Sequence, residues 1–214
     1  MKNRRTYYQL ILDRSGSMTS CIEQTIEGVN QQICRIKEMA DRIPEQDILT
    51  SLTLFNTAIS SPWTRINQAR LREISFEDYR PRGGTALLDA IGITIDEMQK
   101  SVGHEIESDQ ASAVVIIITD GYENSSRIFT HEQVSDLIKT LESTGKWSFS
   151  YIGATLDAVQ IARSLNIKGK NSMRFNTAES DIVYTKLNVS LDNYMNSKMK
   201  GKISDDFLKE DEKE

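Results

Sequence analysis

Apolar and polar positions alternate along this chain in two distinct rhythms. Residues 7–12 are apolar and β-prone and stop abruptly at Asp13, the pattern of a buried strand running into a polar loop. Ile22, Ile26, Val29, Ile33 and Ile36 then recur at intervals of four and three, which is one apolar stripe of an amphipathic helix. Pro44 lies beyond its end as a stop signal. Residues 48–55 predict a second strand. Asn56, Thr57 and Ala58 read as a tight connection into a third, near residues 59–66, and Pro62 within it cannot donate to a ladder and so sets it at a sheet edge. Arg80 to Gly84 is loop by composition. From Thr85, a second long helix is marked by Leu88, Ile91, Ile95, Met98 and Val102.

Residues 113–119 (AVVIIIT) are apolar without a break and rich in β-branched side chains, which predicts a strand in the middle of a parallel sheet with helices over both faces. A polar loop over 120–126 leads to a helix carrying Val134, Leu137, Ile138 and Leu141, with Thr130 as its cap. A strand over 148–152, a short helix near 156–165 and a weak strand at 173–175 follow. A last helix runs through Ile182, Val183, Leu187, Leu191 and Tyr194. Strands alternating with helices predict an α/β fold with a doubly wound, mostly parallel central sheet, one antiparallel edge strand and helices on both faces. One domain over residues 1–197 accounts for these elements. Residues 198–214 are mostly charged, with only Ile203, Phe207 and Leu208 to bury, and read as a mobile C-terminal tail.

Three polar loops at the ends of these elements hold oxygen ligands. Asp13, Ser15 and Ser17 alternate after the first strand, Thr85 follows Gly83 and Gly84 at the start of the second long helix, and Asp120 ends the most buried strand. Ligands of open α/β sheets bind beyond the carboxyl ends of the strands, where these loops lie. Two carboxylates and three hydroxyls, with no His or Cys, make a hard-oxygen set that suits Mg²⁺, Mn²⁺ or Ca²⁺ rather than zinc or copper, with Mg²⁺ the expected ion. Gly16, Gly83 and Gly84 supply the backbone freedom such loops need. Two carboxylates neutralise a divalent ion and leave it able to attract an outside carboxylate in place of a water.

This pattern resembles the metal-ion-dependent adhesion site of von Willebrand factor type A domains. The Asp-x-Ser-x-Ser run is matched by Asp13, Ser15 and Ser17, the second loop by Thr85 in GGTALLDA, and the third by Asp120 in IIITDG. The order of strands and helices is similar to the family fold from Thr6 to about Asn196. The resemblance implies a divalent-cation-dependent module that captures an Asp or Glu of a partner protein and does no chemistry on it. In some members the last helix shifts when the metal gains an outside carboxylate, which makes the helix over 181–195 a candidate for such coupling.

Other residues have plainer readings. Asp13 and Asp120 also suit strand-end turns. Asp89 is expected to support its loop or face solvent, Glu123 and Asn124 to supply ordinary loop polarity, and Thr119 to orient Asp120 or simply end its strand. A Mg²⁺-dependent phosphoryl-transfer enzyme is the first alternative, since Asp at the end of a first strand serves as nucleophile in some α/β phosphatases. Ser15 stands where their second acid is needed, and no P-loop with its Lys is present. A metal-independent scaffold is the second. His104 and His131 are the only histidines, both expected at the surface, and they offer no hydrolase triad.

Composition narrows the partners. With 26 Lys and Arg against 31 Asp and Glu the net charge is −5, against nucleic acid as the main partner, although Arg65, Arg70, Arg72, Arg80 and Arg82 crowd one loop-rich region. No run approaches the ~18 apolar residues of a membrane helix. Gln9 and Asp13 interrupt the apolar segment after Lys2, Arg4 and Arg5, so no signal peptide is read there. A small chain with a starting Met and no export signal is expected to be a free-standing cytoplasmic member. Cys21 and Cys34, taken as lying on one helix roughly 20 Å apart, are expected to stay reduced and to pack rather than pair.

Overall fold

The computed structural model of the chain describes residues 4–174, 180–204 and 206–208. Along it run β1 (Arg5–Asp13), α1 (Ile22–Arg42), β2 (Asp47–Phe55), β3 (Ile59–Ile66), α2 (Leu87–Glu107), β4 (Ala111–Thr119), α3 (His131–Ser143), β5 (Trp147–Gly153), α4 (Ala158–Ser164), β6 (Ser172–Arg174) and α5 (Ser180–Met199). The strands form one sheet in the order β3-β2-β1-β4-β5-β6. All pairings are parallel except β2 with β3, so the expected α/β sheet with one antiparallel edge strand is what forms. Pro62 sits in the edge strand β3, where its missing N–H costs no ladder bond.

The pleat of the central strands sorts their side chains between two cores. Tyr8, Leu10 and Leu12 of β1 and Val114, Ile116 and Ile118 of β4 face α1 and α5. Tyr7 and Ile11, with Val115 and Ile117, face α2, α3 and α4. This is why residues 113–119 carry no polar alternation: every residue of β4 is buried. Full burial of each such Val, Leu or Ile contributes roughly 1.5–3 kcal/mol. The α1 stripe from Ile26 to Ile36 faces the first core as its spacing predicts, and Thr130 caps α3 in a capping box with Gln133.

Several expectations are corrected. Helix α2 begins at Leu87, which leaves Thr85 in the preceding loop. Cys21 closes a 3₁₀ turn over Gly16–Cys21, so the two cysteines do not share a helix; Cys21 is buried, Cys34 exposed, and both are free thiols. The last strand spans Ser172–Arg174, and Phe175 lies outside the described residues.

The stretch from Lys198 onward, expected to be a mobile tail, is described in part. Helix α5 runs to Met199, and Lys198 is buried, its Nζ donating to Arg5 O and Thr6 Oγ1 at 2.6 Å and to Ser112 Oγ at 2.9 Å. Phe207 and Leu208 are buried too, with the Phe207 ring 6.2 Å from Tyr8 and 5.9 Å from Tyr194. Average polarity hides this, because two apolar side chains are enough when a preformed apolar surface awaits them. Residues 205 and 209–214 lie outside the described residues. No described helix is long and apolar enough to cross a membrane.

Candidate functional site

The loops after β1 and β4 start from the carboxyl edge of the sheet, and the segment between β3 and α2 returns to that edge, where Gly83 meets Gly16. Parallel register sets Asp13 of β1 opposite Phe55 of β2, and Leu12 opposite Ile118 of β4, so β1 and β4 end side by side and release Asp13 and Asp120 next to each other. Gly83, at φ +75° in the left-handed region that side chains avoid, turns the third loop toward them. Backbone bonds lace the loops together: Gly16 N donates to Gly83 O at 2.9 Å, Arg82 N to Arg14 O at 2.8 Å, and Ala86 N to Asn56 O at 2.9 Å.

The five side chains named from sequence are brought together. Ser15 Oγ lies 3.1 Å from Ser17 Oγ, and Ser17 Oγ donates to Asp120 Oδ1 at 2.6 Å. Asp13 is fully buried; its Oδ1 accepts from Ser15 N and its Oδ2 from Thr119 Oγ1, both at 2.6 Å. Thr85 joins them across Gly121. A Cβ built on Gly121 falls 3.0 Å from Thr85 Oγ1, 3.4 Å from Ser17 Oγ and 3.7 Å from Ser15 Oγ. Three hydroxyls therefore surround one point that the missing side chain leaves open.

Electrostatics at this point favour an added positive charge. Burial pushes the Asp13 carboxyl above its ordinary pKa, against the bonds from Thr119 and Ser15, and the charge of Asp120 pushes it further up. Burial raises Asp120 likewise, against the bond from Ser17. Two carboxyls in one partly desolvated place resist ionising together, and a cation between them reverses that. Among the described residues no three His, Cys, Asp or Glu side chains gather as a metal cluster. The donor set here is two carboxylates and three hydroxyls, the hard-oxygen chemistry of Mg²⁺, Mn²⁺ or Ca²⁺, and it fits such an ion.

Several supporting residues were not legible beforehand. Tyr79, from a loop far along the chain, donates its hydroxyl to Asp13 O at 2.6 Å. Thr119 holds Asp13 rather than Asp120. Glu123 and Asn124 are more than loop polarity: Asn124 Oδ1 accepts from Thr85 N and Glu123 Oε2 from Leu88 N, each at 2.9 Å, which ties the β4–α3 loop to the start of α2. Asp89 supports its loop as expected, accepting from the N–H groups of Arg127, Ile128 and Phe129 at 2.8 Å. Burial alone would raise its pKa, but those three bonds outweigh it and the net shift is downward. His104 and His131 are exposed, and His131 Nε2 is 3.0 Å from Ser164 Oγ.

No protein-family model and no curated protein matches the sequence. Solved structures do share its architecture. A von Willebrand factor type A protein from Catenulispora acidiphila aligns at TM-score 0.51 and 14% identity, over 88% of this chain and 42% of that one. The ArnB paralog VWA2 from Sulfolobus acidocaldarius aligns at TM-score 0.54 and 17% identity, over 88% and 45%. The fold is that of von Willebrand factor type A domains. Manganese-loaded TRAP protein from Plasmodium vivax shares this type A fold at TM-score 0.53 and 16% identity, over 84% of this chain and 72% of that one. The chain thus spans under half the length of the first two. Identities this low show the type A fold alone.

Proposed function

We propose that the chain is a divalent-cation-dependent protein-binding module. Asp13, Ser15, Ser17, Thr85 and Asp120 would hold the ion, and a partner's Asp or Glu would complete its shell. One observation carries this reading: hydroxyls from two separate loops, those of Ser15, Ser17 and Thr85, gather at the space beside Gly121, with Asp120 bonded to Ser17 and Asp13 to the Ser15 backbone. When bound, the ion supplies a positive centre that attracts an outside carboxylate. The chain's own part is to hold the oxygens in place through Thr119, Tyr79 and Asn124. In this reading the cation holds a partner and no substrate is turned over. Mg²⁺ is the ion we favour, with Mn²⁺ or Ca²⁺ also suited to the oxygen set, and the manganese-loaded structure of the same fold supports a divalent ion. A cytoplasmic setting, with no nucleic acid or membrane partner, goes with this proposal.

Calorimetric titration of Mg²⁺ and Mn²⁺ into wild type and Asp120→Ala tests it. Saturable binding to wild type, lost in the variant while circular dichroism stays unchanged, is the expected result. A pull-down in matched Mg²⁺ and EDTA buffers should yield a partner only with Mg²⁺. Equal ion affinity in the variant would remove the proposal.

A further inference from the structure

The edge that carries the oxygen cluster differs in character on its two sides. Toward β2 stand Arg14 and Arg82, joined through their backbones. Among the described residues no ion pair engages either guanidinium. Arg14 Nε is buried without a hydrogen-bond partner. The nearby carboxylates are committed elsewhere, Glu123 and Asp89 to backbone N–H groups and Asp13 to Thr119 and Ser15. An acidic protein therefore keeps two unneutralised arginines beside this one mouth. Toward β5 the surface is apolar: Tyr122 is 56% exposed and Leu156 81%. Asp157, next in the chain to Leu156, lies close enough to Tyr122 to raise its pKa.

Strand spacing sets the scale. Neighbouring strands lie ~4.8 Å apart, so the carboxyl edge from β2 to β5 spans about 14 Å, and an extended peptide rising ~3.3 Å per residue covers it in four or five residues. The oxygen cluster sits at the β1–β4 step and the arginines at the β2–β1 step. That separation is one strand spacing, about 5 Å, and side-chain length bridges it to the ~6.6 Å between positions two apart on one face of an extended segment.

We infer that this edge recognises an extended acidic segment of a partner protein, with two carboxylates at alternate positions and an apolar side chain beyond them. The inference rests on the proposed cation site. One carboxylate goes to the oxygen cluster, the second pairs with Arg14 and Arg82, and the apolar side chain covers Tyr122 and Leu156. Guanidinium groups favour carboxylates because two parallel N–H bonds match the two oxygens. Among the described residues no hydrogen bond from either arginine side chain holds the loops, which are tied by backbone groups and by Asn56, Tyr79 and Asn124, so both can be replaced without unseating the oxygens.

The experiment uses the full chain saturated with Mn²⁺ and blocked synthetic peptides, Leu-Gly-Glu-Gly-Glu and its reverse Glu-Gly-Glu-Gly-Leu. Each is compared with a form in which the glutamate farther from leucine is glutamine. The two-carboxylate peptide of the preferred direction should bind roughly ten-fold tighter at low salt, and the advantage should shrink as salt rises. In the double variant Arg14→Gln, Arg82→Gln the advantage should vanish while Mn²⁺ affinity is not weakened. Replacing the peptide leucine by alanine should weaken binding several-fold in wild type and not in Leu156→Ser. Equal binding of the two peptides by wild type, or an advantage that survives in the double variant, overturns this inference and leaves the cation site standing. Absence of Mn²⁺ binding overturns the cation site first and this inference with it. A Mn²⁺-loaded chain that binds no peptide overturns carboxylate capture in both forms.

Discussion

Thr119 Oγ1 donates to Asp13 Oδ2 at 2.6 Å and so joins the ends of the two central strands, β1 and β4. Both groups are buried, and Thr119→Val keeps the shape while deleting the donor. Leaving a buried carboxylate oxygen unpaired should cost roughly 1–3 kcal/mol in urea denaturation. If Asp13 holds a cation, losing the residue that orients it should weaken Mn²⁺ binding by about ten-fold or more in calorimetry. A destabilised variant with wild-type Mn²⁺ affinity would separate the two roles.

Gly121→Ala tests the space rather than the ligands. Gly121 is outside the left-handed region, so alanine adds no backbone strain, yet its methyl would stand 3.0 Å from Thr85 Oγ1 among the hydroxyls. The expected outcome is a folded protein by circular dichroism that no longer binds Mn²⁺. Retained binding would mean that the ion, if any, sits elsewhere.

Asp89 should matter for stability and not for the ion. Asp89→Ala orphans three N–H groups of residues 127–129, at an expected cost of about 3 kcal/mol. Its native pKa lies below the ordinary 3.8, so the unfolded chain takes up its proton first. The stability it supplies is therefore full above that value and is lost as pH falls through the native pKa. Acid unfolding of wild type and variant should converge at low pH, and urea midpoints across pH 2–6 read this directly.

Lys198 gives the same sign at alkaline pH. Burial lowers its pKa from 10.5 to about 7. Between those values the unfolded chain binds the extra proton, so this lysine makes stability rise with pH from about 7 toward 10.5. Urea midpoints at pH 6.5 and 9.5 should show that rise, and Lys198→Met should flatten it. An equal slope in the variant would assign the rise to other groups.

Phe207 packs against Tyr8 and Tyr194 although it belongs to a charged stretch. Phe207→Ala should cost about 3 kcal/mol or more, as for an aromatic removed from a core. A loss below ~0.5 kcal/mol would show that this segment does not stay docked in solution.

What the sequence makes visible here is what depends on neighbours in the chain. Residues 113–119 announce a central strand because burial on both faces leaves no polar alternation, and the α1 stripe follows from helical spacing alone. Asp13, Ser15 and Ser17 stand out because they cluster within five residues at a strand end. The supports do not, since Tyr79 and Thr119 reach Asp13 from 66 and 106 residues away, and no local pattern marks either. Phe207 and Leu208 do not announce a packing partner for the same reason: local composition is charged, and the surface beside them is built by β1 and α5. Helix α2 starts two residues late because Thr85 is tied by its backbone to Asn124 and Ser125 across the loops, which competes with the first helical turn.

The bond from Lys198 to Arg5 O has a consequence for attachment. It clasps the exit of α5 to the entry of β1, at the pole of the sheet opposite Asp13 and Asp120. A tether joined ahead of Arg5 would leave from that far pole, and the mouth would point away from whatever anchors it. The same layout lets a display tag at the amino end leave ligand access open.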